Sequence, residues 1–133
     1  MPELPEVETI VSELNKTILN KTITNISLTT PSIVHSKEPP LIILKNNKFT
    51  NISRHGKYIK LLTNTNNKIV VHLRMTGKIL LVRHNTPATK HDHLHIDFID
   101  DSRLTYNDIR KFGKWIFAPK DKNFDDYINA GTD

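Results

Sequence analysis

The chain contains no cysteine, which excludes a disulfide framework and any cysteine-based metal site. It also lacks a long apolar run: nothing approaches the roughly 20 residues that a helix needs to cross a bilayer. The start is acidic and proline-bearing, without the basic and then apolar pattern of a secretory leader. These absences point to a cytoplasmic protein with no membrane span. Glycine is scarce, four residues in 133, so each one is informative. Gly56, Gly77 and Gly113 punctuate apolar or alternating segments, where a residue without a Cβ suits a tight turn. The length fits one domain with a core of its own.

Positive charge is what the chain has in excess, and its placement matters more than the net +5. Residues 1 to 53 carry five Lys/Arg and five Asp/Glu, whereas residues 54 to 122 carry fourteen against six, a net +8. The last eleven residues carry three Asp and no Lys or Arg. A basic middle of this kind is either a solvated lysine-rich surface or a face that follows a phosphate backbone.

Periodicity divides the chain into one helix and a series of strands. Leu4, Val7, Val11, Leu14 and Ile18 recur at three- and four-residue steps and predict an amphipathic helix to about Ile18. Pro2 and Pro5 fall in its first turn, where a missing N–H costs nothing. Strands are expected at Thr22–Thr30, Lys48–Arg54, Lys57–Thr63, Lys68–Arg74, Lys78–Arg83, His93–Ile99, Arg103–Tyr106 and Lys114–Phe117. A polar tail follows the last of these. Leu41–Leu44 reads equally as strand or helix. In Lys68–Arg74, Ile69, Val71 and Leu73 share one face and Val70, His72 and Arg74 the other, which predicts a sheet buried on one side and polar on the other. The fold class is therefore α+β and mainly β, an antiparallel β-sandwich with an N-terminal helix.

The first residues carry candidate chemistry. Removal of Met1 would leave Pro2 with a secondary amine, and an α-amino group titrates near pH ~8, so a useful fraction is neutral at pH 7. Such an amine can attack an aldehydic or glycosidic carbon and form an iminium, with Glu3 placed next to it to carry protons. A capped amphipathic helix without chemistry has the same pattern. His91, His93 and His95 stand at two-residue spacing, which can present a metal site on one strand face, a solvated set of histidines, or a ligand contact.

The opening Pro2-Glu3-Leu4-Pro5-Glu6-Val7-Glu8-Thr9 resembles that of the formamidopyrimidine-DNA glycosylases, base-excision repair enzymes directed at oxidised purines such as 8-oxoguanine. Four further motifs of this chain resemble the same family in the same order: His55-Gly56-Lys57-Tyr58, His72-Leu73-Arg74-Met75-Thr76-Gly77, Lys90-His91-Asp92-His93, and Tyr106-Asn107-Asp108-Ile109-Arg110-Lys111-Phe112-Gly113. Together they span nearly the whole chain. The resemblance implies that Pro2 is the nucleophile forming a Schiff base with the damaged nucleotide, that Glu3 is the general acid and base, that Lys57 assists proton transfer near the lesion, and that Glu6 supports the site. It implies that Met75 fills the space left by the flipped lesion, Phe112 wedges between base pairs, Arg110 pairs with the orphaned base, and His91 contacts DNA. His72 is a phosphate contact by the same resemblance and a solvated strand histidine otherwise.

The partner implied is damaged double-stranded DNA, acted on by a monomer as a glycosylase and lyase, with β-elimination and, in the family, a second elimination. The family continues into a helix-two-turn-helix region and a four-cysteine finger holding one structural zinc. Neither is in this sequence, so residues 1–133 resemble an isolated N-terminal catalytic domain with no cofactor or metal of its own, expected to bind DNA weakly and to turn over poorly or not at all. Two other readings stay open: a DNA-binding module without catalysis, and a metal-binding β-domain built on the histidine triplet.

Overall fold

A computed structural model describes residues 4–36 and 39–128. Pro2 and Glu3 therefore lie outside the described residues. Helix α1 (Leu4–Thr17) is followed by β1 (Ile23–Leu28), a single 3-10 turn at Pro31–Ile33, the short helix α2 (Pro40–Leu44) and seven strands. These are β2 (Phe49–His55), β3 (Tyr58–Thr63), β4 (Lys68–His72), β5 (Gly77–Arg83), β6 (Asp92–Phe98), β7 (Ser102–Asp108) and β8 (Lys114–Ala118). The stretch Leu41–Leu44, which the sequence leaves undecided, is helical because Pro40 supplies a helix start and the run is too short to pair in either sheet.

Two four-stranded antiparallel sheets form the sandwich, in the orders β1-β6-β7-β5 and β2-β3-β4-β8. Their inner faces share one core with α1: Val7, Val11, Leu14 and Ile18 of the helix meet Ile52, Ile59, Leu61 and Val71 of one sheet and Ile96, Leu104 and Tyr106 of the other. These are four of the five positions of the predicted stripe, the last of them one residue past the end of α1. Burying a side chain of this size contributes about 1.5–3 kcal/mol each, which is why the helix has a fixed place against β2 and β3. The expected mainly-β sandwich with one leading helix is what the chain forms.

The sequence pattern fails on the outer face of the β2-β3-β4-β8 sheet. Val70 and His72 are buried there rather than solvated. Val70, Tyr58 and Ile116 form a second small apolar cluster with Ile128, against which Phe124 and Tyr127 pack. The tail after β8, polar by composition, folds back with its few apolar residues inward and covers this face. Strand β4 also stops at His72, two residues before its expected end. Arg74 takes a left-handed backbone (φ 56°), which no ladder residue can hold, and it turns the chain toward β5.

Candidate nucleic-acid interface and active site

Strand register collects the motif residues at one end of the sandwich. In one sheet Tyr58 stands opposite His72, and His72 opposite Lys114. In the other, Gly77 stands opposite Asp108, while Lys78 and Asp92 both stand opposite Asn107. The turn bearing Lys57, the loop bearing Met75, the loop ending at His91 and the loop bearing Arg110 and Phe112 therefore emerge side by side.

Helix α1 is fixed with its starting end toward the same place. Asn15 Nδ2 donates to the Ile52 carbonyl at 2.9 Å. Nearer the start of the helix, Arg54 Nε donates to the Glu8 carboxylate while its Nη1 donates to the Gly56 carbonyl at 2.9 Å. Residue numbers thus fall along α1 as they rise along β2, and the Gly56-Lys57 turn is tied to the first half of the helix. Glu6 is exposed on that part of α1 and Lys57 is half-buried.

The two loop tips are unusual for apolar side chains. Met75 is 55% exposed and Phe112 is 54% exposed, so neither packs in the core. Arg74 and Lys111, each immediately before one of them, hold positive φ (56° and 58°). Left-handed backbone costs a non-glycine residue about 1–2 kcal/mol, and such strain persists only where surrounding structure over-determines it. Arg110 lies with its guanidinium 6.0 Å from the Phe112 ring centre, at the outer limit of a cation–π contact. Arg74, Lys78, Lys90, Arg110 and Lys111 are all exposed at this end.

What over-determines the loops is a buried carboxylate. Asp108 is fully buried, and each of its oxygens takes two donors. Oδ1 accepts from the Thr76 hydroxyl and from the Arg110 amide at 3.2 Å; Oδ2 accepts from the Tyr106 hydroxyl and from the Gly113 amide at 2.9 Å. Its backbone is engaged as well, the amide donating to the His91 carbonyl at 3.0 Å. Burial alone would raise the Asp108 pKa, but the four donors outweigh it and hold the carboxyl below its usual range. Burial, and then its bond to Asp108, push the Tyr106 hydroxyl the other way, far above the ordinary phenol value.

His72, His93 and His95 are not solvated. His72 is 8% exposed, stands edge-on to Tyr58 at 4.9 Å, and accepts the Arg74 amide on Nδ1 at 3.1 Å. His93 is buried with Nε2 2.6 Å from the Asp108 carbonyl and Nδ1 2.8 Å from the Thr30 hydroxyl. A carbonyl only accepts, so in the neutral ring Nε2 carries the proton and Nδ1 accepts from Thr30. His95 is buried against Thr105 at 2.9 Å, and burial followed by the nearby Arg103 charge lowers its pKa. The expectation of ordinary surface histidines at 93 and 95 is thus overturned: Thr30 and the loop from His84 to His91 close over positions that alternation alone would turn to water. Among the described residues no three His, Cys, Asp or Glu side chains converge as a metal site. His91 is half-exposed at the interface end.

Asp108, Thr76 and Tyr106 sit inside the recognised motifs, yet spacing alone assigns them no role. One signal was available: alternation places Asp108 on the same face as Leu104 and Tyr106, and a carboxylate facing a core demands donors. A cavity of about 580 Å³ lies at the opposite end against Phe117, Pro119 and Tyr127. No motif residue lines it.

Comparison with known proteins covers most of the chain. Residues 1–115 match the family model described as the formamidopyrimidine-DNA glycosylase N-terminal domain. The chain is 42% identical over 123 residues to the formamidopyrimidine-DNA glycosylase of Lactococcus lactis subsp. lactis, covering 92% of this chain and 45% of that protein. It is 45% identical over 116 residues to the Bacillus cereus protein of the same name, covering 85% and 42%. Among solved structures, the Lactococcus lactis enzyme non-covalently bound to DNA containing an AP site superposes with a TM-score of 0.82 at 40% identity, over 86% of this chain and 44% of that one. The wild-type Lactococcus lactis protein with DNA containing N7-benzyl-Fapy-dG gives 0.85 at 40% identity, over 90% and 45%. The chain spans less than half the length of the relatives it matches. With the family model covering most of its length and the motif loops gathered at one end of the expected sandwich, the chain belongs to the formamidopyrimidine-DNA glycosylase family.

Proposed function

We propose that this chain carries the catalytic half of a base-excision repair DNA glycosylase and AP lyase that removes oxidised purines from duplex DNA. One observation carries the reading: three motif loops, rich in exposed cations and tipped by Met75 and Phe112, emerge side by side next to the Lys57 turn and the starting end of α1. Cations at such a face gain affinity by displacing counterions from phosphates. Exposed apolar tips are costly in water and useful inside a duplex, where they replace the stacking lost when a nucleotide is flipped out. Arg110 then offers its guanidinium donors to the acceptors of the orphaned base.

In the proposed reaction Met1 is removed and the Pro2 nitrogen attacks C1′ of the damaged nucleotide. The N–C1′ bond forms as the glycosidic bond breaks, and the base leaves with the bonding pair and a proton. Opening of the sugar ring, with a proton delivered to its oxygen, gives an iminium. Loss of a C2′ proton then expels the 3′ phosphate. Glu3 carries these protons, with Lys57 assisting and Glu6 supporting the site.

The experiment is borohydride trapping of the 133-residue chain on a duplex with an abasic site, read by intact mass with the adduct mapped by peptide sequencing. An adduct on Pro2 is expected. Absence of adduct in protein whose mass shows Met1 removed would leave the domain a DNA-binding module without catalysis.

A further inference from the structure

We infer that Asp108 is a positioning residue that locks the Met75 loop to the Arg110–Phe112 loop, so that the two enter damaged DNA as one rigid piece. The loops belong to different strand connections, β4 to β5 and β7 to β8, and are separated by more than thirty residues of sequence. The β5-β7 ladder fixes the bases of the two loops, Gly77 standing opposite Asp108, but does not by itself fix their tips. The Asp108 carboxylate supplies that relation: one oxygen, Oδ1, accepts both the Thr76 hydroxyl from the first loop and the Arg110 amide from the second. The other oxygen closes the second loop on itself through the Gly113 amide and anchors it to Tyr106 in the core.

Two glycines show how tightly the arrangement is closed. A Cβ at Gly113 would stand 1.9 Å from the Tyr106 hydroxyl oxygen, and one at Gly77 would stand 2.5 Å from the Leu73 carbonyl oxygen. Neither position tolerates a side chain while the loops hold their places. Of the two left-handed residues, Lys111 lies between the Arg110 and Gly113 amides that Asp108 holds, while the turn at Arg74 is closed by the Gly77 amide on the Leu73 carbonyl at 3.0 Å and tied to Asp108 through Thr76. A loop held in advance loses less conformational freedom on binding. Two loops held to each other also place the void-filling methionine and the wedging phenylalanine at a fixed spacing. This inference rests on the proposed reading of the loops as DNA-facing.

The test removes the bond from the far side. Thr76→Val deletes the hydroxyl without touching the second loop, and Thr76→Ser keeps it. Amide hydrogen exchange is read at Arg110 and Gly113 in the free 133-residue chain. Affinity is read for a duplex with a tetrahydrofuran abasic analogue and for the same duplex intact. Thr76→Val is expected to speed exchange at both amides about tenfold, the lower end of what a hydrogen bond to a charged group is worth. It should also cut the preference for the abasic duplex about fivefold with affinity for intact duplex unchanged, since phosphate contacts are untouched. Thr76→Ser should restore both. Unchanged exchange at Arg110 and Gly113 would overturn the coupling. Faster exchange with an unmoved preference would overturn the positioning role and leave only a structural tether. If the unmodified chain itself fails to prefer the abasic duplex, the proposed function fails for this chain and takes the positioning role with it, while exchange still decides whether the loops are coupled.

Discussion

Replacing Gly113 by alanine should be among the most damaging single-methyl additions available in this domain. The new Cβ would lie 1.9 Å from the Tyr106 hydroxyl oxygen and 2.9 Å from the ring carbon that bears it. Tyr106 is fully buried, flanked by Trp115 at 5.5 Å and by His93 at 5.9 Å between ring centres, so the ring has no free direction to move. Its hydroxyl must leave Asp108, at about 1.5–3 kcal/mol for a hydrogen bond to a charged group, and overpacking adds about 1–3 kcal/mol. The expected loss is about 4 kcal/mol, or a fall in Tm of roughly 15 °C. Urea unfolding followed through the single tryptophan, the buried Trp115, measures it. In a Tyr106→Phe background the hydroxyl is already gone, so the same substitution should cost only about 1–2 kcal/mol more. A loss below about 1 kcal/mol for Gly113→Ala, or the same cost in both backgrounds, would refute the account of the Asp108 cluster.

Stability should also fall as pH is lowered, in two stages. The pKa of His95 is depressed by burial and by the Arg103 charge, so the unfolded chain binds the proton more readily and stability is lost as pH drops below about 6.5. Asp92, Asp97 and Asp108 are likewise depressed: burial opposes the shift, but bonds from Asn107, Arg103 and Thr76 respectively prevail. Their contribution is present above about pH 4 and lost below it. Urea midpoints across this range should show both stages, with the upper one absent in His95→Gln. Ile128→Ala should cost about 2 kcal/mol by opening the cluster over Tyr58, Val70 and Ile116; a change within about 0.5 kcal/mol would mean that the tail does not cover that face in solution. Phe112→Ala should leave the urea midpoint unchanged because the ring is exposed, while weakening binding to an abasic duplex about tenfold. Equal weakening on intact duplex would remove the wedge role.

Much of the fold was legible because it depends on local alternation. The α1 stripe and all eight strands follow from residues within a few positions of one another. What could not be read is what lies over a face from elsewhere in the chain. Val70 and His72 alternate with core residues and so read as solvent-facing, yet the tail that covers this face is some fifty residues later in sequence. His95 is hidden by the loop that leads into its own strand, a cover that alternation does not report. The early end of β4 has a different cause, the left-handed turn at Arg74, which nothing in an arginine announces. At the candidate site, the loop tips Met75 and Phe112 are exposed beside Gly77 and Gly113, as their glycine neighbours suggest. The carboxylate that binds those loops together was visible only as a charge in a core-facing register, and the number of its donors is a tertiary fact.

The strand order has a consequence for how the molecule is made. Sheet β2-β3-β4-β8 takes its fourth strand from residues Lys114–Ala118, after the whole of the other sheet has been laid down. Helix α1, packed on β2 and β3, precedes both sheets in the sequence, yet the sheet it rests on gains its last edge only when β8 arrives. At about 5–20 residues per second on a ribosome, the helix waits several seconds with its apolar stripe incompletely covered. Its amphipathic face is therefore a part of the nascent chain in need of shelter until β8 arrives.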